Sequence, residues 1–152
     1  LRAYLRFARQ TKDETGKNMF IILASDEVDH VSILEKQLES HLEGGPWVKV
    51  ETKDSDIQKI LPRIREKAPK TEGKSGLHQV DALRMALDFE KRSMDFYTGQ
   101  AGLTQDPVAK ELFQKLARME EAHYEIIQAE LDSIGRTGFW FNVPEFSLEL
   151  EG

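Results

Sequence analysis

"FIILASDEVDH", residues 20–30, and "FQKLARMEEAH", residues 113–123, share one pattern: F-x-x-L-A-x-x-E-x-x-H. His123 follows His30 by 93 residues, and Glu120 follows Glu27 by the same interval. The register holds without a gap on both sides of these stretches. Tyr4 falls on Tyr97, Ala8 on Ala101, Thr11 on Thr104, Asp13 on Asp106 and Lys17 on Lys110. Past the histidines, Ile33 falls on Ile126 and Leu38 on Leu131. Self-similarity at a fixed interval marks one supersecondary unit used twice.

Each copy reads as a hairpin of two helices. In the second, "GLHQVDALRMALDFEKRSMDFYTGQAG" carries Leu83, Ala86, Leu87, Phe89, Met94 and Phe96 at near-helical spacing. "LTQDPVAKELFQKLARMEEAHYEIIQAELDSIG" restarts the pattern, with Asp106 as N-cap, Pro107 at the first helical position and Gly135 as the stop. Val108, Leu112, Phe113, Leu116, Ala117, Met119, Ile127 and Leu131 form its apolar stripe. In the first copy "KNMFIILASDEVDHVSILEKQLESHLEGG" matches it, ended by Gly44 and Gly45, after the tail of an earlier helix. The segment between the copies is rich in breakers, with a short helix expected over 57–66, bent at Pro62. Neighbouring antiparallel helices need only short loops, so a connection this long predicts a crossover along a bundle.

The expected fold is therefore all-α: a four-helix bundle of two repeated helix pairs in a single domain. Repeat 1 spans about 1–43, the crossover 44–76, repeat 2 77–135 and a tail 136–152. Trp140 and Phe141 are expected to cover a bundle end or a partner subunit rather than bind a ligand. At 152 residues and 39% hydrophobic, the chain is long enough to bury one core. A net charge of −6 argues against a nucleic-acid footprint, which is normally basic. No run approaches the ~18 apolar residues of a membrane span. The absence of cysteine excludes disulfides, iron–sulfur clusters and thiol catalysis within these residues, and the acidic composition suits the cytoplasm.

The chemistry lies in the two Glu-x-x-His pairs. Positions i and i+3 leave a helix from one face, so each carboxylate projects beside an imidazole. Carboxylate oxygen with imidazole nitrogen is a donor set that divalent first-row metals accept. A two-metal site also takes a carboxylate from each remaining helix. On the third helix the candidate is Glu90, within an otherwise apolar stripe where a lone charge needs a partner. Glu121, Asp26 and Asp29 read as solvated, and His41 and His78 as surface residues. Tyr4 and Tyr97 lie where they would hydrogen-bond ligand carboxylates, or else pack with their hydroxyls satisfied elsewhere.

Taken together, A-x-x-x-E-x-x-x-x-x-F-Y at Ala86 to Tyr97 and the two F-x-x-L-A-x-x-E-x-x-H stretches resemble the rubrerythrin-like branch of the ferritin-like superfamily. "YLRFAR" at 4–9 is similar to the continuation of that family's first helix. The resemblance implies a non-haem di-iron site with redox chemistry on O2 or peroxide. Its metal ligands would be Glu27, His30, Glu90, Glu120 and His123, holding two iron ions, with manganese or zinc accepted by the same donors. It also implies a homodimer and, without cysteine, a separate electron donor.

Two departures bear on activity. The first-helix ligand would fall four positions upstream of Leu1, so either the chain continues upstream or the site has lost a ligand; the helical start "LRAYLRFARQ", with no start signal, favours the first. Peroxide-reducing relatives carry a glutamate three residues after the third-helix ligand, where this chain has Ser93. The resemblance thus leaves two functions in view: an oxidoreductase, and an iron-handling or sensing protein without turnover. A helical interaction module that has lost its metal is weakened by both intact pairs.

Overall fold

The computed structural model describes residues 1–51, 57, 77–138 and 140, with the side chains of Leu77, His78 and Thr137 excepted. Its elements are α1 (Arg2–Gln10), α2 (Glu14–Leu42), α3 (Leu77–Leu103) and α4 (Pro107–Thr137), with no strand among the described residues. The protein is an all-α four-helix bundle. The crossover segment expected to be helical over 57–66, except for Ile57, lies outside the described residues, as does the tail from 141 on.

The repeat is visible in the joints of the two hairpins. α1 ends where the Thr11 amide donates to the Phe7 carbonyl at 2.9 Å, and Thr104 repeats this at Gln100, at 3.0 Å. Two residues later the aspartates cap the next helix, since the first turn has amide donors without intrahelical partners. Asp13 accepts from the Gly16 amide at 3.0 Å. Asp106 accepts from Val108 and Ala109 at 2.8 and 3.0 Å, with Pro107 opening the helix. At the far ends, α2 stops before Gly44, and α4 stops at Gly138, whose φ of +80° terminates the helix. The expected stop at Gly135 is thus corrected. That glycine has helical neighbours on both sides, and only the left-handed Gly138 breaks the ladder, its amide donating to Ile134.

The interior forms two apolar clusters. One joins Tyr4 and Phe7 of α1, Met19, Phe20 and Leu23 of α2, Leu83 and Ala86 of α3, and Ile126, Ile127 and Ile134 of α4. Ile57 and Trp140 complete it. Trp140 stacks edge-on to Phe20 and donates its indole N–H to Gln79 at 3.0 Å. The second joins Ile33, Tyr97, Ala101, Leu112, Phe113, Leu116 and Met119. Each buried Leu, Ile or Phe contributes roughly 1.5–3 kcal/mol, so these clusters hold the helices together. α2 and α3 both run from the first cluster to the second, and α4 runs back. Since α2 and α3 point the same way, the chain must return the length of the bundle between them, as the long connection predicts.

One stripe is narrower than expected. Phe89 and Phe96 of α3 are 38% and 57% exposed. The buried face of α3 is Ala82, Leu83, Ala86, Glu90, Tyr97 and Ala101, and the two phenylalanines sit on its outer flank.

Candidate metal centre

Between the two apolar clusters, α2 presents residues 26–30, α3 presents Glu90 and α4 presents 120–123. That position makes the centre buried: His30, Glu90, Glu120 and His123 are each 2% exposed or less. Glu27 is the exception, with 22% of its side chain accessible. The structure thus brings together all five residues expected from the sequence.

Glu120 is central. Its Oε1 lies 3.3 Å from Nδ1 of His30 and its Oε2 lies 3.3 Å from Nδ1 of His123. One carboxylate therefore faces both imidazoles through separate oxygens. Glu27 Oε1 also stands between them, 3.6 Å from His30 Nδ1 and 3.8 Å from His123 Nδ1. Glu90 Oε2 approaches only His123, at 3.5 Å. The two rings lie 5.6 Å apart, nearly parallel at 24°. One donor atom each from Glu27, Glu90, Glu120 and His123 fall within 4.8 Å of one another. His30 stands outside that group and faces Glu27 and Glu120.

The surroundings hold these groups in place. Tyr4 donates its hydroxyl to Glu90. Of the two readings open for Tyr4, this is the carboxylate-bonding one. Tyr97 is buried, and its phenol is raised well above its ordinary pKa by burial and by the charges of Glu120, Glu27 and Glu90.

Asp26 corrects the sequence reading. Expected in solvent, it is 3% exposed, with its Oδ2 3.0 Å from Nε2 of His123. This contact ties Nε2 of His123 to Asp26 and leaves Nδ1 on the side of the glutamates. A signal for this was present in the repeat. Asp26 matches Met119, a residue expected in the core, so an aspartate stands at an inward-facing position. Asp29 and Glu121 are exposed as expected. His41 is also exposed, bonded to the Gly45 carbonyl at 3.1 Å.

Electrostatically the centre calls for cations. Burial alone would lower the pKa of His30, but Glu120 and Glu27 outweigh it and raise it to about 9. Burial is likewise overcome at His123, which Asp26, Glu120 and Glu90 raise well above 6.5. Glu90 is pushed up to about 7, chiefly by burial. Glu120 is pulled below the ordinary carboxylate range, because His123 and His30 outweigh its burial. Three clustered carboxylates in a low-dielectric interior need compensating positive charge, from protons or from metal. Nδ1 of both histidines and Oε2 of Glu120 are buried without a hydrogen bond among the described residues. These atoms converge, and once the imidazoles give up a proton their mix of oxygen and nitrogen donors fits iron, manganese or zinc. The residues fit a metal site of carboxylates and imidazole.

No helix among the described residues is long and apolar enough to cross a membrane. A family model described as Rubrerythrin matches residues 1–131, a span containing every residue of this centre. No curated protein and no solved structure gave a significant match.

Proposed function

The chain belongs to the rubrerythrin family, and from that premise we propose a non-haem di-iron oxidoreductase acting on O2 or peroxide in defence against oxidative stress. The observation that carries the reading is Glu120 facing both histidines through separate oxygens, at 3.3 Å each, inside the bundle. The same reading makes the protein a cytoplasmic homodimer served by a separate electron donor.

Glu27, Glu90, Glu120 and His123 would hold the metal, with His30 beside Glu27 and Glu120. When bound, a pair of irons supplies two electrons and Lewis acidity to an oxygen species. The chain's own residues do the rest. Asp26 holds His123 through Nε2, leaving Nδ1 on the side of the glutamates. The two apolar clusters close both ends of the centre and exclude bulk water. Tyr4 holds Glu90 in place by donating to its carboxylate. Tyr97 keeps its phenolic proton at neutral pH, because burial and then the carboxylate charges disfavour phenolate.

A second reading, iron binding or sensing without turnover, draws support from Ser93. A serine cannot supply the anionic oxygen that the resemblance associates with peroxide reduction. Anaerobic loading with Fe(II), then addition of peroxide under optical monitoring, separates the two. The oxidoreductase reading expects two irons per chain and prompt ferric absorption, restored to ferrous by a reductant over repeated cycles. Bound iron that peroxide leaves unchanged supports the second reading, and failure to bind iron defeats both.

A further inference from the structure

The two halves of the centre are related by the repeat, yet they differ at one position next to the ligands. Asp26 of α2 supports His123 through Nε2 at 3.0 Å, and both side chains are buried. The repeat places Met119 where His30 would have the matching support. A thioether is only a weak acceptor, and Nε2 of His30 is buried without a hydrogen bond among the described residues. The geometry points to two inequivalent metal positions that load in order, the His123 position first, with Asp26 as the positioning residue that sets the order. This rests on the proposed metal-centre reading and deepens it.

The physical argument concerns orientation and basicity. A metal-bound imidazole whose remote N–H donates to a carboxylate is held in one tautomer and one ring position. Its ligating nitrogen is also a stronger electron donor, because the carboxylate favours positive charge on the ring. His123 has both advantages before metal arrives. His30 has neither: nothing among the described residues holds its ring through Nε2, and a buried Nε2–H is left unsatisfied. Partners of this kind typically change metal affinity about 10–100-fold. The difference arises in mid-helix, at 26 and 119, and does not depend on how many carboxylates each position receives.

The test is anaerobic titration of the metal-free chain with Co(II), followed by calorimetry and by visible absorption of the bound ion. Wild type should bind in two steps about 10–100-fold apart. Asp26→Ala should weaken the tighter step by that factor and leave the weaker one nearly unchanged. Asp26→Asn keeps the shape with a poorer acceptor and should fall between, which preserves the test if the alanine variant does not fold. Met119→Asp should tighten the weaker step. In the metal-free protein, the His123 Nε2–H should give a slowly exchanging proton resonance that Asp26→Ala abolishes. Two equal steps in wild type, or an Asp26 variant that changes neither step or both alike, would overturn the order of loading. A wild-type chain that binds no Co(II) would instead overturn the metal-centre reading, and this inference with it.

Discussion

Tyr4 in α1 donates its hydroxyl to the carboxylate of Glu90 in α3, joining the first hairpin to the second inside the core. Both residues are buried, at 3% and 2% exposed. Tyr4→Phe keeps the ring, its packing on Phe7 and its stacking on Phe20, and removes only the donor. The Glu90 carboxylate then loses a partner that water cannot replace. Urea denaturation of the metal-free protein should register a loss of about 1–3 kcal/mol. A variant as stable as wild type would mean that the bond contributes nothing net.

Replacing the histidines tests the centre itself. His123→Ala removes the imidazole that Glu27, Glu90 and Glu120 all approach, and His30→Ala removes the one facing Glu27 and Glu120. Each change should cut bound iron sharply, measured by elemental analysis after anaerobic loading. The His123 variant should lose more, since three carboxylates converge on that ring. Unchanged iron in both variants would show that the ligands lie elsewhere.

The bundle was legible because its signals are local and occur twice. Asp13 and Asp106 announce helix starts at matching positions, and both aspartates accept first-turn amides. Glu27–His30 and Glu120–His123 were legible because i,i+3 spacing alone puts each pair on one face. Asp26 was not. It sits about 100° around the helix from Glu27; its match to Met119 marks an inward position, but only packing against α4 reveals that it faces His123. Phe89 and Phe96 failed for the opposite reason. Their spacing is helical, but periodicity does not say how wide a helix's buried stripe is. In α3 the stripe is confined to Ala82, Leu83, Ala86, Glu90, Tyr97 and Ala101, with the rings of Phe89 and Phe96 left on its outer flank.

Gly16 and Trp140 make a contact whose consequence can be measured. A Cβ built on Gly16 would lie 2.3–2.6 Å from three ring atoms of Trp140. In a helix, Gly→Ala normally stabilises by up to about 1 kcal/mol. Here the added methyl must displace an indole that is 6% exposed and packed on Phe20. Overpacking of this kind costs about 1–3 kcal/mol, so Gly16→Ala should destabilise the protein and shift Trp140 fluorescence to the red. In a Trp140→Ala background the clash is absent, and the same substitution should be neutral or stabilising. The same sign in both backgrounds would refute the contact.

The strongest dependence on conditions should be on pH, with opposite directions for the metal-free and metal-loaded protein. His30 titrates near 9 in the fold against an ordinary 6.5. Its protonation therefore stabilises the fold in full below pH 6.5, and that contribution is lost as pH rises through 9. Glu90 titrates near 7 against an ordinary 4.5, so folding favours its neutral form. That contribution is present below pH 4.5 and is lost as pH rises through 7. Both groups thus make the metal-free protein less stable as pH climbs from 4.5 to 9. Metal competes with protons for the same nitrogens and oxygens, so its affinity grows over that window. Thermal melts with EDTA and with excess Mn(II), at pH 5, 7 and 9, should show the metal-free Tm falling. The stabilisation conferred by Mn(II) should widen at each step. A metal-free Tm that climbs throughout, or a Mn(II) effect greatest at pH 5, would contradict the account of buried carboxylates held by protonated histidines.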